Sequence, residues 1–155
     1  MVTSSAPAKP QPTGPDYLLV DGYNVIFAWD ELRKMAETNL DAARRRLMDI
    51  LCNYAGYKRC VPILVFDAYK VRGGTREVEK HHNLYVVYTQ EAETADMYIE
   101  RTTHELSKDH RTRVVSSDGA EQIIVLGNGA LRVSARAFAE EVAAVEKEIR
   151  EFLQN

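Results

Sequence analysis

Residues 17–24 read Tyr17-Leu18-Leu19-Val20-Asp21-Gly22-Tyr23-Asn24. A short apolar run stops at Asp21-Gly22, a pair suited to a turn. The run lacks the alternation of a half-exposed strand, so it reads as a strand covered on both faces. Val61 to Phe66 and Leu84 to Tyr88 repeat the pattern, and Arg113-Val114-Val115 is a fourth case. Strands of this kind need helices on both sides.

The helical spacings supply them. Asn39 to Tyr57 carries Leu40, Ala43, Leu47, Ile50, Leu51 and Tyr54, with Asn39 as a cap. Glu91 to Leu106 places Ala95, Ile99, Thr102 and Leu106 on one side. Gly119 to Val125 reads as a shorter helix ended by Gly127-Asn128-Gly129, and Leu131 to Val133 as a short edge strand. Ser134 caps a long helix with the stripe Phe138, Val142, Val145, Ile149 and Phe152. Strands alternating with helices imply a three-layer α/β/α fold with a mainly parallel central sheet. In such sheets chemistry sits outside the C-terminal ends of the strands.

The chain has 155 residues, 45% hydrophobic and 28% charged, as expected of one globular domain. Residues 1–15 are rich in Pro, Ser, Thr and Ala and read as a disordered arm, a linker or a non-native remnant; the folded unit is expected over 16–155. No run of about 18 apolar residues and no secretory leader pattern are present, which fits a cytoplasmic protein. Cys52 and Cys60 lack ligand-like companions and read as reduced thiols with no disulfide partner.

The formal net charge is −3, which argues against binding nucleic acid by bulk charge. The charge is unevenly spread. Residues 140–151 carry −3 and residues 91–100 carry −4, so the remainder is net +4.

Asp21 and Asp67 end the first two strands, and Asp118 follows the fourth. Glu93 and Asp96 stand i, i+3 at the expected start of the helix after the third strand. Singly, each Asp is a turn or cap residue. Jointly they deliver several carboxylates to one edge, where like charges raise one another's pKa unless a cation neutralises them. Oxygen ligands suit Mg²⁺ or Mn²⁺, one or two ions, which activate water and steady charge on a phosphate. The phosphate loop GxxxxGK[ST], GxGxxG after the first strand, the DxD pair, an adjacent acidic pair, GxSxG and HExxH are all absent.

Leu18 to Ile26 with Ala28-Trp29, then Val65-Phe66-Asp67-Ala68, Tyr88-Thr89, Glu93-Thr94-Ala95-Asp96, Ser116-Ser117-Asp118 with Glu121-Gln122, and Gly127 to Arg136 occur in the order and spacing of a known family. The chain resembles the YacP-type NYN domains, which are PIN-like nucleases, over roughly residues 16–155. The resemblance implies a metal-dependent endoribonuclease, in a branch associated with cleavage of mRNA in the ribosomal A site. It implies Asp21, Asp67, Asp96 and Asp118 as the catalytic metal site, with Asn24 and Ser117 as polar neighbours. Glu93 either holds a metal-bound water or caps the helix.

Lys70 to His82 reads as a loop that follows Asp67. Lys70, Arg72, Arg76 and Lys80 would hold RNA phosphates, and Tyr69 would stack on a base. Arg44-Arg45-Arg46 diverge around a helix and are expected to be solvated. Phe27 and Trp29 are expected to be packing residues. The expected reaction is hydrolysis of single-stranded RNA to 5′-phosphate and 3′-hydroxyl ends. The alternative is a ribosome- or RNA-binding module with little or no cleavage, and a small-molecule phosphatase is a more remote one.

Overall fold

The Tyr17–Val20 run forms the centre of strand β1 (Asp16–Asp21) in the computed structural model, which describes residues 14–68, 77–116, 124–125 and 130–155. Leu18, Leu19 and Val20 are all buried, as strand cover on both faces requires. After β1 come helices α1 (Gly22–Ala28), α2 (Asp30–Thr38) and α3 (Leu40–Lys58), then strands β2 (Cys60–Phe66), β3 (Glu77–His81) and β4 (Leu84–Tyr88). Helix α4 (Ala95–Leu106), strands β5 (Thr112–Ser116), β6 (Ile124–Val125) and β7 (Leu131–Ser134), and helix α5 (Ala135–Gln154) complete the order.

Among the described residues the strands form one seven-stranded sheet in the order β3-β4-β2-β1-β5-β7-β6. The five inner strands are parallel, and β3 and β6 are antiparallel edges. Successive β1 residues feed opposite cores. Leu18 and Val20 join Phe66, Val86, Val115 and the helices α1, α2, α3 and α5. Leu19 joins Val65, Val87, Val114 and the α4 residues Ala95 and Ile99. The fold is therefore the expected three-layer α/β/α arrangement. Asn39 and Ser134 cap α3 and α5 through the Ala42 and Ala137 N–H groups, each at 3.0 Å.

Three sequence expectations change. Glu77–His81 is a strand rather than part of a loop; it pairs with β4 and all five residues are exposed. An edge strand held by backbone hydrogen bonds needs no apolar alternation, so its sequence hides it. Ile124–Val125 is a strand paired with β7, not the end of a helix; a short apolar run does not distinguish the two. The rest of that expected helix lies outside the described residues. Helix α4 starts at Ala95, capped by Thr94, so Glu93 precedes the helix and does not cap it. The short helices α1 and α2 were not expected. No helix among the described residues is long and apolar enough to cross a membrane.

Candidate active site

Asp21 is both the last residue of β1 and the cap of α1. Its Oδ1 accepts the Asn24 backbone N–H at 3.4 Å, and its Oδ2 accepts from Asn24 Nδ2 at 2.5 Å. The turn is tight because Gly22 has no side chain: a Cβ there would overlap the Phe66 ring. Asp21 is 6% exposed. Burial pushes its pKa up to about 6; Asp96 and Asp67 push the same way, against the two Asn24 hydrogen bonds. Two of the four expected acids, Asp96 and Asp67, thus act on a third, Asp21, across one edge.

Asp67 follows β2, the strand beside β1. The chain around it is pinned from β4. Thr89 N–H donates to Phe66 O at 3.0 Å, and Thr89 Oγ1 accepts the Ala68 N–H at 3.1 Å. Thr89 is 2% exposed, and its pinning role was not read from the sequence. Asp96 stands exposed in the first turn of α4, where Thr94 Oγ1 accepts the Met97 N–H at 3.1 Å. Helix α4 packs on β1, β2 and β5, which brings its first turn to the same edge as Asp21 and Asp67.

Ser116 is a further residue that sequence reading missed. Val20 pairs with Val115, so Asp21 and Ser116 come next along the two strands, on the α4 side. Ser116 is buried, and its hydroxyl has no hydrogen-bond partner among the described residues.

Glu93 is buried beside α4 with both carboxylate oxygens engaged. Oε1 accepts the Gln90 N–H at 3.4 Å, and Oε2 accepts from Arg101 at 2.5 Å. Arg101 lies one helical face along α4 and was not anticipated. Glu93 thus ties down the turn before α4, where Ala92 has a left-handed φ of 68°.

Lys80 lies on β3 opposite Tyr85, three residues back from the strand end at Tyr88, roughly 10 Å of strand. Its Nζ stands 5.4 Å from the Tyr85 ring centre, so it is not brought to the acids. Asp118, Ser117, Tyr69, Lys70, Arg72 and Arg76 lie outside the described residues.

On the opposite side of the same edge is a row of aromatic rings. Tyr88 stacks on Phe66 at 5.7 Å, Phe66 meets Tyr23 at 4.9 Å, and Tyr23 meets Phe27 at 6.3 Å. Arg44 Nη1 donates to the Tyr23 hydroxyl at 3.0 Å. Arg45 and Arg46 diverge to Asp41 and Glu31. Trp29 packs on Phe138 and donates to Ala135 O, as a packing residue should. Phe27 does not: it is 55% exposed.

Asp21, Asp67 and Asp96 offer oxygen only, the ligand type a hard divalent cation takes, and burial first, with Asp96 and Asp67 adding to it, raises the Asp21 pKa. Among the described residues, no three His, Cys, Asp or Glu side chains stand close enough together to hold a metal ion.

A family model described as the YacP-like NYN domain matches residues 18–155. The chain is 38% identical over 135 residues to the uncharacterized protein YacP of Bacillus subtilis (strain 168), covering 86% of this chain and 79% of that protein. It is also similar to a crystal structure of Rae1 (YacP) from Bacillus subtilis, with a TM-score of 0.73, 37% identity, and coverage of 90% of this chain and 80% of that one. A mutant form of the same protein gives 0.73 and 36%, over 88% of this chain and 79% of that one.

Proposed function

The chain belongs to the YacP-like NYN domain family, and from that premise we propose that it is a metal-dependent endoribonuclease acting on single-stranded RNA, with ribosome-bound mRNA as its substrate. Family membership supports a nuclease-like, RNA-related role. The observation that carries the finer reading is Asp21, a buried carboxylate held near pKa 6 with Asp96 and Asp67 adding to its charge stress. Asp21, Asp67, Asp96 and Asp118 would hold Mg²⁺ or Mn²⁺ in this reading. The cation, when bound, supplies water activation and neutralises charge on the phosphate.

The chain's own groups do the positioning. Asn24 orients both oxygens of Asp21. Thr89 fixes the backbone on either side of Asp67. The Thr94 cap and the Glu93–Arg101 pair set where α4 begins, and so where Asp96 stands. In the hydrolysis, water oxygen bonds to phosphorus as the bond to the 3′ oxygen breaks, leaving 5′-phosphate and 3′-hydroxyl ends. No covalent enzyme intermediate is needed. A ribosome-bound substrate carries a cytoplasmic location with it.

The test is cleavage of ribosome-bound and free mRNA, with and without divalent cation, followed by end mapping. Asp96→Asn is expected to abolish cleavage with Mn²⁺ present. Cleavage by that variant at the parent rate would sink the metal-site assignment. RNA or ribosome binding without acid-dependent cleavage would favour a binding module instead.

A further inference from the structure

We propose that Phe27 and Tyr23, backed by the Arg44 guanidinium, form a stacking shelf for one unpaired nucleobase of the RNA that crosses the acidic edge. The inference rests on the reading above that the substrate is single-stranded RNA; the shelf itself comes from the geometry.

A single exposed hydrophobic residue needs no explanation. Phe27 differs because it ends a continuous row. The row starts in the core at Phe66, which is fully buried, passes through half-buried Tyr23, and emerges at Phe27. Tyr23 and Phe27 are i, i+4 on α1 and therefore share a face. The Tyr23 and Phe27 ring planes are 33° apart, so the outer ring is tilted only moderately from the inner one.

Three features select a nucleobase as the occupant. The shelf is continuous with the acidic edge, because Asp21 caps the helix that carries both rings. Phe27 stands six residues on, roughly 9 Å along the helix axis. The acids face the α4 side and the rings the α1 side, so a strand passing over the edge meets both. The inner ring is also held in place: Arg44 donates to the Tyr23 hydroxyl and is itself anchored by Asp41, which fixes the Tyr23 plane. Finally, the exposed Phe27 ring, with Tyr23 behind it, offers an apolar surface and no base-edge hydrogen-bond code. That suits contact tolerant of base identity.

The experiment uses the full chain carrying Asp96→Asn, so that RNA stays uncleaved, and measures binding of a short single-stranded oligoribonucleotide. Phe27→Ala and Phe27→Leu are expected to weaken binding at least about five-fold, and Phe27→Trp to stay near the parent. In the otherwise unaltered chain, Phe27→Ala should raise KM and leave kcat nearly unchanged. Phe27 is exposed, so these variants should keep the parent's Tm. If Phe27→Leu binds like the parent, the contact is apolar only, and the shelf is overturned. If Phe27→Ala binds like the parent while the parent binds RNA, it is also overturned. If the parent neither binds nor cuts RNA, the function proposed above has failed, and the shelf falls with it.

Discussion

Asn24 holds Asp21 from two directions, its backbone nitrogen on Oδ1 and its amide on Oδ2. Both bonds favour the ionised carboxylate, against burial and two acidic neighbours. Asn24→Ala removes only the amide donor. The Asp21 pKa should then rise further above about 6, and the acid limb of the pH–rate profile should move toward neutral pH. A profile whose acid limb stays in place would show that Asp21 ionisation does not govern activity.

The same pKa has a consequence for stability without metal. Asp21 titrates at about 6 when folded, against 3.8 as its ordinary value. The folded state therefore binds the proton more tightly. The associated stability is fully present below pH 3.8 and is lost as pH rises through about 6. The shift corresponds to on the order of 3 kcal/mol. Asp21→Asn should therefore raise Tm at pH 7 in chelator, and the gain should shrink toward pH 4. Added Mn²⁺ should stabilise the parent and not this variant.

Glu93 is buried and its partner Arg101 is half-exposed, with a side-chain exposure of 54% against 5%. Arg101→Met leaves a buried carboxylate with only the Gln90 N–H of these two donors. The expected loss is about 1–3 kcal/mol, less than for a fully buried pair because water reaches the arginine. Adding Glu93→Gln should recover part of that loss in urea unfolding. If Glu93 instead serves the cation directly, Glu93→Gln alone would raise the Mn²⁺ requirement for cleavage more than Arg101→Met does.

Thr89→Val keeps the side-chain shape and removes the acceptor for the Ala68 N–H. A buried N–H left unpaired costs about 1–3 kcal/mol. Because that N–H adjoins Asp67, cleavage should fall by more than the loss of folded protein explains. Parallel measurement of Tm and of kcat on folded protein checks this.

The sequence revealed what depends on local pattern. Continuous apolar runs marked β1, β2, β4 and β5, because a strand buried on both faces has no polar alternation to blur it. Asn39 and Ser134 were legible as caps because the cap chemistry is local. β3 was not legible, since Glu-Val-Glu-Lys-His owes its strand to pairing with β4. Nor was the role of Glu93: its partner Arg101 lies a further two helical turns on, and nothing in the spacing separates a buried ion pair from a metal ligand. Asp21 and Asp67 could be placed on one edge because strand ends are predictable, and Asp96 because the start of the helix after β4 is. Ser116 was not legible because its burial beside β1 follows from the pairing of β5 with β1, not from residue type.

Asp21 carries three duties at once, as strand end, helix cap and buried acid, whereas Asp96 stands exposed on a helix whose cap belongs to Thr94. The two are therefore unequal handles for experiment. A silenced protein meant to stay folded around its RNA, for trapping a complex long enough to image it, should be altered at Asp96. A change at Asp21 would alter the α1 cap and the protein's stability together with the chemistry, so a loss of function there would not separate them.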